Sequence, residues 1–252
     1  MKEIVNIDLK DKKALITGAS RGIGREIAVR LANHGCKVYV NYAGNTKKAE
    51  ETKAIIEKNG GICSLACADL RNVDCADKLY EVTGDVDILI LNASIQFRKR
   101  WTDITVGEFE QQINCNLRSA MLLMQKYVSG MLNKKWGRII TVGSVQERKP
   151  HSDMLVYSAS KTALTSMAQS VALQLADTGI TVNSVAPGVI YTDRNTKALS
   201  DEEYAKSVKE KIPMRFWGEP SDCGIVFEML CSEDARYITG QNIFVDGGMG
   251  IK

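Results

Sequence analysis

Short apolar runs alternate along this chain with longer stretches whose apolar residues recur every three or four positions. Ala14, Leu15, Ile16 and Thr17 form a run that ends at a glycine and reads as a buried strand. Residues 23–33 follow with Ile23, Ile27, Val29 and Leu31 at helical spacing and Gly35 just beyond. Residues 37–41 are strand-like, 46–58 form a charged amphipathic helix closed by Gly60 and Gly61, 62–66 read as a third strand, and 73–82 as a helix. The fourth strand, 87–91, is apolar on both faces, as parallel strands covered from two sides are. A long helix is expected over 106–133, a strand over 138–142, a second long helix over 154–177, and strands over 180–185 and 242–245. Residues 191–217 are the least regular and read as a mobile cover over a site at the strand ends.

This alternation predicts one α/β domain over residues 1–252: a seven-stranded parallel sheet with right-handed crossovers and helices on both faces. A length of 252 residues suits one such domain. The net charge of +3 is too small to argue for nucleic acid, and the single compact basic run, Arg98-Lys99-Arg100, reads as a solvated loop. No stretch approaches the roughly 18 apolar residues of a membrane span, and the first residues lack the apolar core of a secretion signal, so a cytoplasmic location is expected. The seven cysteines are odd in number and include no C-x-x-C pair, which fits neither a disulfide framework nor a zinc ribbon. Cys63 and Cys67 share one side of a strand and read as small core residues. Two histidines, His34 and His151, leave no metal cluster to expect.

Gly18, Gly22 and Gly24 fall where the first strand turns into the first helix. Small residues there let backbone approach a pyrophosphate, and the helix N-terminus offers free N–H groups; this is the phosphate turn of a doubly wound Rossmann sheet. The second strand ends Asn41-Tyr42-Ala43-Gly44, without the acidic residue that holds the ribose of NAD, while Arg21 in the glycine loop suits a 2′-phosphate. NADP(H) is therefore favoured over NAD(H). Asp69, beside Leu70, reads as an acceptor for the adenine amino group or as a helix N-cap. Tyr157 and Lys161 are four apart, on one helix face, thirteen residues after Ser144 at the end of the fifth strand. An ammonium beside a phenol favours the phenolate, so Tyr157 can act as acid or base on a substrate oxygen, with Ser144 as hydrogen-bond donor to it.

In order and spacing these residues resemble the short-chain dehydrogenase/reductase family, over essentially the whole chain. Thr17 to Gly24, with Ser20 and Ile23, is similar to its T-G-x-x-x-G-I-G loop, and Asn92-Ala93 to its N-N-A-G segment. Asn116 matches the helix asparagine that completes a Ser-Tyr-Lys proton relay through water; Ser144, Tyr157 and Lys161 match the catalytic set. Pro187-Gly188, with Ile190 and Thr192, resembles the segment that contacts the nicotinamide amide and phosphates. Ser94 departs from the pattern, standing where the family has a glycine beside the nicotinamide.

The resemblance implies hydride transfer between a nicotinamide and a carbonyl or secondary alcohol, and a homotetramer. The nearest look is to 3-oxoacyl carrier-protein reductases, acting on an acyl thioester, and Lys135 is placed to meet an acidic carrier; Thr178 is not basic where a second such residue is expected. Gln146 is expected at the substrate, and the polar run Gln146, Glu147, Arg148, Lys149 and His151, with Arg98, suits instead a hydroxylated or anionic small molecule such as a polyol, sugar or sugar acid. A dinucleotide-binding protein that has lost its chemistry is the remaining alternative, opposed by the intact Asn116, Ser144, Tyr157 and Lys161.

Overall fold

The computed structural model describes residues 7–252. Seven parallel strands form one sheet: β1 (Lys13–Ile16), β2 (Lys37–Tyr42), β3 (Ile62–Cys67), β4 (Ile88–Leu91), β5 (Gly137–Val142), β6 (Ile180–Pro187) and β7 (Asn242–Val245). Their spatial order is β3-β2-β1-β4-β5-β6-β7. The chain builds outward from β1 in one direction, then restarts at β4 and builds in the other. A crevice opens at the carboxyl end of the sheet where the direction reverses, the place where such sheets hold ligands.

Period-two alternation sorts the strand side chains onto two faces. Ala14, Ile16, Ile88, Ile90, Ile140 and Val142 enter one core with Ile27 and Leu31 of α1 (Gly22–Asn33), Ile56 of α2 (Thr46–Lys58) and Phe227 of α9 (Pro220–Cys231). Leu15, Leu89, Leu91 and Ile139 enter the other with Leu79 of α3 (Cys75–Thr83), Leu123 and Tyr127 of α5 (Ser119–Lys134) and Leu164 of α6 (Leu155–Leu175). Both faces of the central strands are dry, which is why they read as continuous apolar runs.

Three expectations change. The helix foreseen over 106–133 is α4 (Val106–Ile113), a π turn (Asn114–Arg118) and α5. The wider turn swings Asn116 inward, where it is 1% exposed and bonds the main chain of Ile95 on both sides: its Oδ1 accepts from the N–H at 2.9 Å and its Nδ2 donates to the carbonyl at 2.9 Å. The segment expected to be irregular carries α7 (Asp193–Leu199) and α8 (Glu202–Lys211). Tyr204, Val208 and Ile212 meet Leu199 and Trp217 in a small apolar cluster of their own, a stripe too narrow to stand out among the charges of α8. Cys67 is exposed while Cys63 is buried, because β3 is an edge strand and its last residue runs past the helices that cover its middle.

Candidate active site

At the β1–α1 turn the backbone, rather than side chains, forms the surface. Gly18 has φ +62° and a Cβ there would stand 2.9 Å from Ala93 Cα. A Cβ on Gly24 would meet Asn92 Nδ2 at 2.6 Å and the Gly18 carbonyl at 2.7 Å. Both positions therefore require glycine. Asn92 locks the loop from behind, its Nδ2 donating to the carbonyls of Thr17 (2.8 Å) and Gly18 (3.1 Å), while Thr17 Oγ1 accepts from the N–H groups of Asn92 and Ala93. Asn41 supports it from the second strand: its Oδ1 accepts from Gly18 N at 3.2 Å and its Nδ2 donates to the Ala66 and Ala68 carbonyls. The cradle suits a dinucleotide: backbone lies bare at the start of a twelve-residue helix, and the exposed Arg21 guanidinium stands at its edge, 3.9 Å from Asp193.

Tyr157 and Lys161 project from the first turns of α6 toward the end of β5, and both are buried. Lys161 Nζ donates to the Val142 carbonyl at 2.6 Å and lies 5.7 Å from the centre of the Tyr157 ring. Burial alone pushes the phenol up. The Lys161 ammonium, the Arg194 guanidinium and the hydroxyls of Ser144 and Ser94 outweigh it, and hold Tyr157 below its ordinary value. Burial also lowers the Lys161 ammonium, against the pull of Tyr157. Ser144 is fixed from its backbone: Glu147 Oε1 accepts from Ser144 N at 2.7 Å, and Glu147 Oε2 accepts from Asn242 of β7 at 2.7 Å. An acid/base group, a donor to the substrate oxygen and a buried cation thus meet beside the glycine cradle, in one cleft of about 780 Å³.

Residues 18–250 match the family model described as enoyl-(acyl carrier protein) reductase. The chain is 34% identical to 3beta-hydroxysteroid dehydrogenase 1 of Eggerthella lenta, over 96% of this chain and 95% of the relative. It is 40% identical to the 3-oxoacyl-[acyl-carrier-protein] reductase FabG of Staphylococcus aureus, over 94% and 98%. The chain belongs to the short-chain dehydrogenase/reductase family. The crystal structure of a 3-oxoacyl (acyl-carrier-protein) reductase of Agrobacterium tumefaciens C58 with NADP bound superposes with a TM-score of 0.91 at 31% identity, covering 95% of each chain. As a short-chain dehydrogenase/reductase the protein is an NAD(P)-dependent oxidoreductase.

In this short-chain dehydrogenase/reductase the cleft brings together Gly18, Ser20, Arg21, Gly22, Ile23, Asn41, Tyr42, Asp69, Leu70, Asn92 and Ala93 at one end, and Pro187, Gly188, Ile190 and Thr192 along one wall. Ser144, Gln146, Tyr157 and Lys161 line its middle. Asn116 stands behind the wall with its side chain spent on Ile95 and, at 3.1 Å, on Ser160 Oγ; a relay through water would have to use its main-chain carbonyl. Asp69 is not a helix cap, since α3 begins at Cys75; it takes a 2.6 Å ion pair from Arg71, whose hydrogen bonding holds the carboxyl below its usual range.

Other expectations change as well. Arg148 turns away from the substrate side and stacks over Phe244, 3.9 Å from the ring centre. Lys135 caps α5 at the amino edge of the sheet, opposite the cleft. The basic run Arg98-Lys99-Arg100 lies in an exposed loop, as expected, with Lys99 paired to Glu108 at 2.6 Å. Sequence reasoning missed Arg194, whose Nη2 donates to the Ser94 carbonyl (2.7 Å) and Oγ (3.1 Å), and the wall supplied by Tyr204, Val208 and Lys211. An arginine two residues past Thr192 was the available signal for the first.

Proposed function

We propose that the protein interconverts a ketone and a secondary alcohol on a small polar molecule, with NADP(H) preferred over NAD(H). The reading rests on Tyr157, buried at the carboxyl edge of the sheet with Lys161, Ser144 and Ser94 all favouring its phenolate. In reduction, the Tyr157 hydroxyl gives its proton to the substrate oxygen; in oxidation, the phenolate takes it back. Ser144 donates a hydrogen bond to the same oxygen as charge develops on it. Lys161 keeps the phenol acidic and, lining the same cleft, would hold the ribose hydroxyls of the cofactor when it is bound. The nicotinamide cofactor supplies or accepts the hydride. Asn92, Asn41 and Thr17 hold the glycine loop in a shape the pyrophosphate can approach.

Preference for NADP(H) is supported by Arg21 at the cradle edge and by the absence of a carboxylate in Asn41-Tyr42-Ala43-Gly44. NADP in the related Agrobacterium structure supports the same choice. A polar substrate is supported by Gln146, Arg98 and His151 on the cleft wall; a carrier-bound acyl thioester is the second reading, favoured by the 40% identity to FabG. The test is a turnover panel, with NADPH and NADH for the carbonyl forms and NADP⁺ and NAD⁺ for the alcohols, setting an acetoacetyl thioester against sugars, polyols and sugar acids with their keto forms. The proposal expects reduction of the polar keto forms with NADPH and oxidation of the matching alcohols with NADP⁺. Turnover of the thioester alone would sink the polar assignment, and faster reaction with NADH would sink the cofactor preference.

A further inference from the structure

Beyond the reacting centre, the mouth of the cleft carries cations without matching acids. Arg98, from the segment after β4, His151, from the segment after β5, and Lys211, the last residue of α8, line the same wall. The first two are set side by side by the main chain, Lys99 N donating to the Asp153 carbonyl at 2.9 Å. Among the described residues neither Arg98 nor Lys211 has a carboxylate partner. Asp153, whose charge also reaches the imidazole, turns its Oδ1 to the Ser152 hydroxyl.

The contact between Arg98 and His151 is incomplete as it stands. Asp153 N–H points at His151 Nδ1, 3.1 Å away, and Arg98 Nη2 lies 3.1 Å from Nε2. A neutral imidazole has one acceptor nitrogen and one N–H. Two donors approach the ring, so one of the two contacts is donor to donor. The backbone amide two residues on is the better fixed of the pair and claims Nδ1. That leaves Nε2–H and the guanidinium facing each other with no acceptor between them. An anionic oxygen seated across both groups would satisfy them together, with the ammonium of Lys211 adding charge. Burial, and then the Arg98 charge, hold the imidazole below its ordinary value, so at neutral pH the ring is a neutral donor rather than a second full charge.

We propose that Arg98, His151 and Lys211 form a subsite for a carboxylate on the substrate, so that the molecules oxidised or reduced at Tyr157 are hydroxy and keto acids. The proposal rests on the catalytic reading above and narrows its substrate class. Side-chain donors alone make up the subsite, and the guanidinium fork matches the two oxygens of a carboxylate. Tyr204 of α8, with its ring centre 5.9 Å from the Arg98 guanidinium, borders the subsite.

The test is isothermal titration of the NADPH-loaded protein, which cannot oxidise an alcohol, with linear hydroxy acids of three to six carbons ending in D-gluconate. The matching uncharged polyols and a phosphorylated polyol are run beside them. At least one acid is expected to bind ten-fold or more tightly than its polyol, and that difference should disappear in Arg98→Ala and shrink in Lys211→Met. Lys99→Ala, a cation paired outside the cleft, should keep the full difference. No acid outbinding its polyol, or a difference that survives in both Arg98→Ala and Lys211→Met, would overturn the proposal; so would a phosphorylated polyol binding more tightly than every acid. NADPH titration by fluorescence separates the two levels: failure of the wild-type protein to bind the dinucleotide strikes the catalytic reading, not the subsite.

Discussion

Tyr157 is under two opposed pressures. Burial favours the neutral phenol, and a buried lysine beside it favours the anion. The charges win, so the pH dependence follows with a definite sign. Oxidation needs the phenolate, and its rate should rise with pH through a midpoint below the ordinary tyrosine value of about 10. Reduction needs the protonated phenol and should fall over the same interval. Lys161→Ala should move that midpoint upward, as measured by the pH profile of kcat/KM. Under the proposed NADP(H) preference, Arg21→Ala removes the charge that would meet the 2′-phosphate. A charged hydrogen bond contributes about 1.5–3 kcal/mol, so the ratio of NADPH to NADH affinity should fall by roughly ten- to a hundred-fold. Equal loss for both cofactors would place Arg21 elsewhere.

At the scale of elements, the glycine turn depends on three segments that are distant in sequence: β1, the end of β2 and the residues after β4. Gly24→Ala sets a methyl group against Asn92 Nδ2 and the Gly18 carbonyl. Loss of NADPH binding is expected in fluorescence titration, with far-UV circular dichroism keeping its helical signal. Removal of the Thr105 hydroxyl breaks the capping box with Glu108 and should cost about 1 kcal/mol in denaturant unfolding. The same elements show what could be read in advance. Dry central strands and α1 announce themselves, because burial on both faces or on one stripe leaves a periodic signal. Ser144, Tyr157 and Lys161 stand in a fixed order relative to those elements, so the site was legible too. The π turn was not, since it accompanies a contact between Asn116 and Ile95, 21 residues apart, that leaves no periodic signal. Nor was α9, whose run Cys223 to Cys231 is apolar nearly all round and lacks a polar face; its one local signal is the box of Glu219 and Asp222 around Pro220.

For the whole molecule, the reversal of strand order between β1 and β4 makes the crevice, and residues of the helices α7 and α8, which we propose act as a cover, line it. Arg194 ties that cover to Ser94 beside Tyr157. Dinucleotide binding is expected to slow amide exchange across residues 193–211 more than in α2, which lies away from the substrate end; equal effects in both would contradict a cover. Met121 and Leu132 of α5 and Leu173 of α6 are exposed apolar residues. Sedimentation is expected to give a homotetramer, and a monomer at micromolar concentration would contradict it.

The central claim is an acidified phenol at position 157, and it can be measured without knowing the substrate. Phenolate absorbance near 295 nm is titrated in the wild-type protein and in Tyr157→Phe, and the difference isolates one tyrosine out of eight. The expected result is a single ionisation below the ordinary value of about 10, moved upward by Lys161→Ala. Superimposable titrations of the wild type and Tyr157→Phe below that value would contradict it.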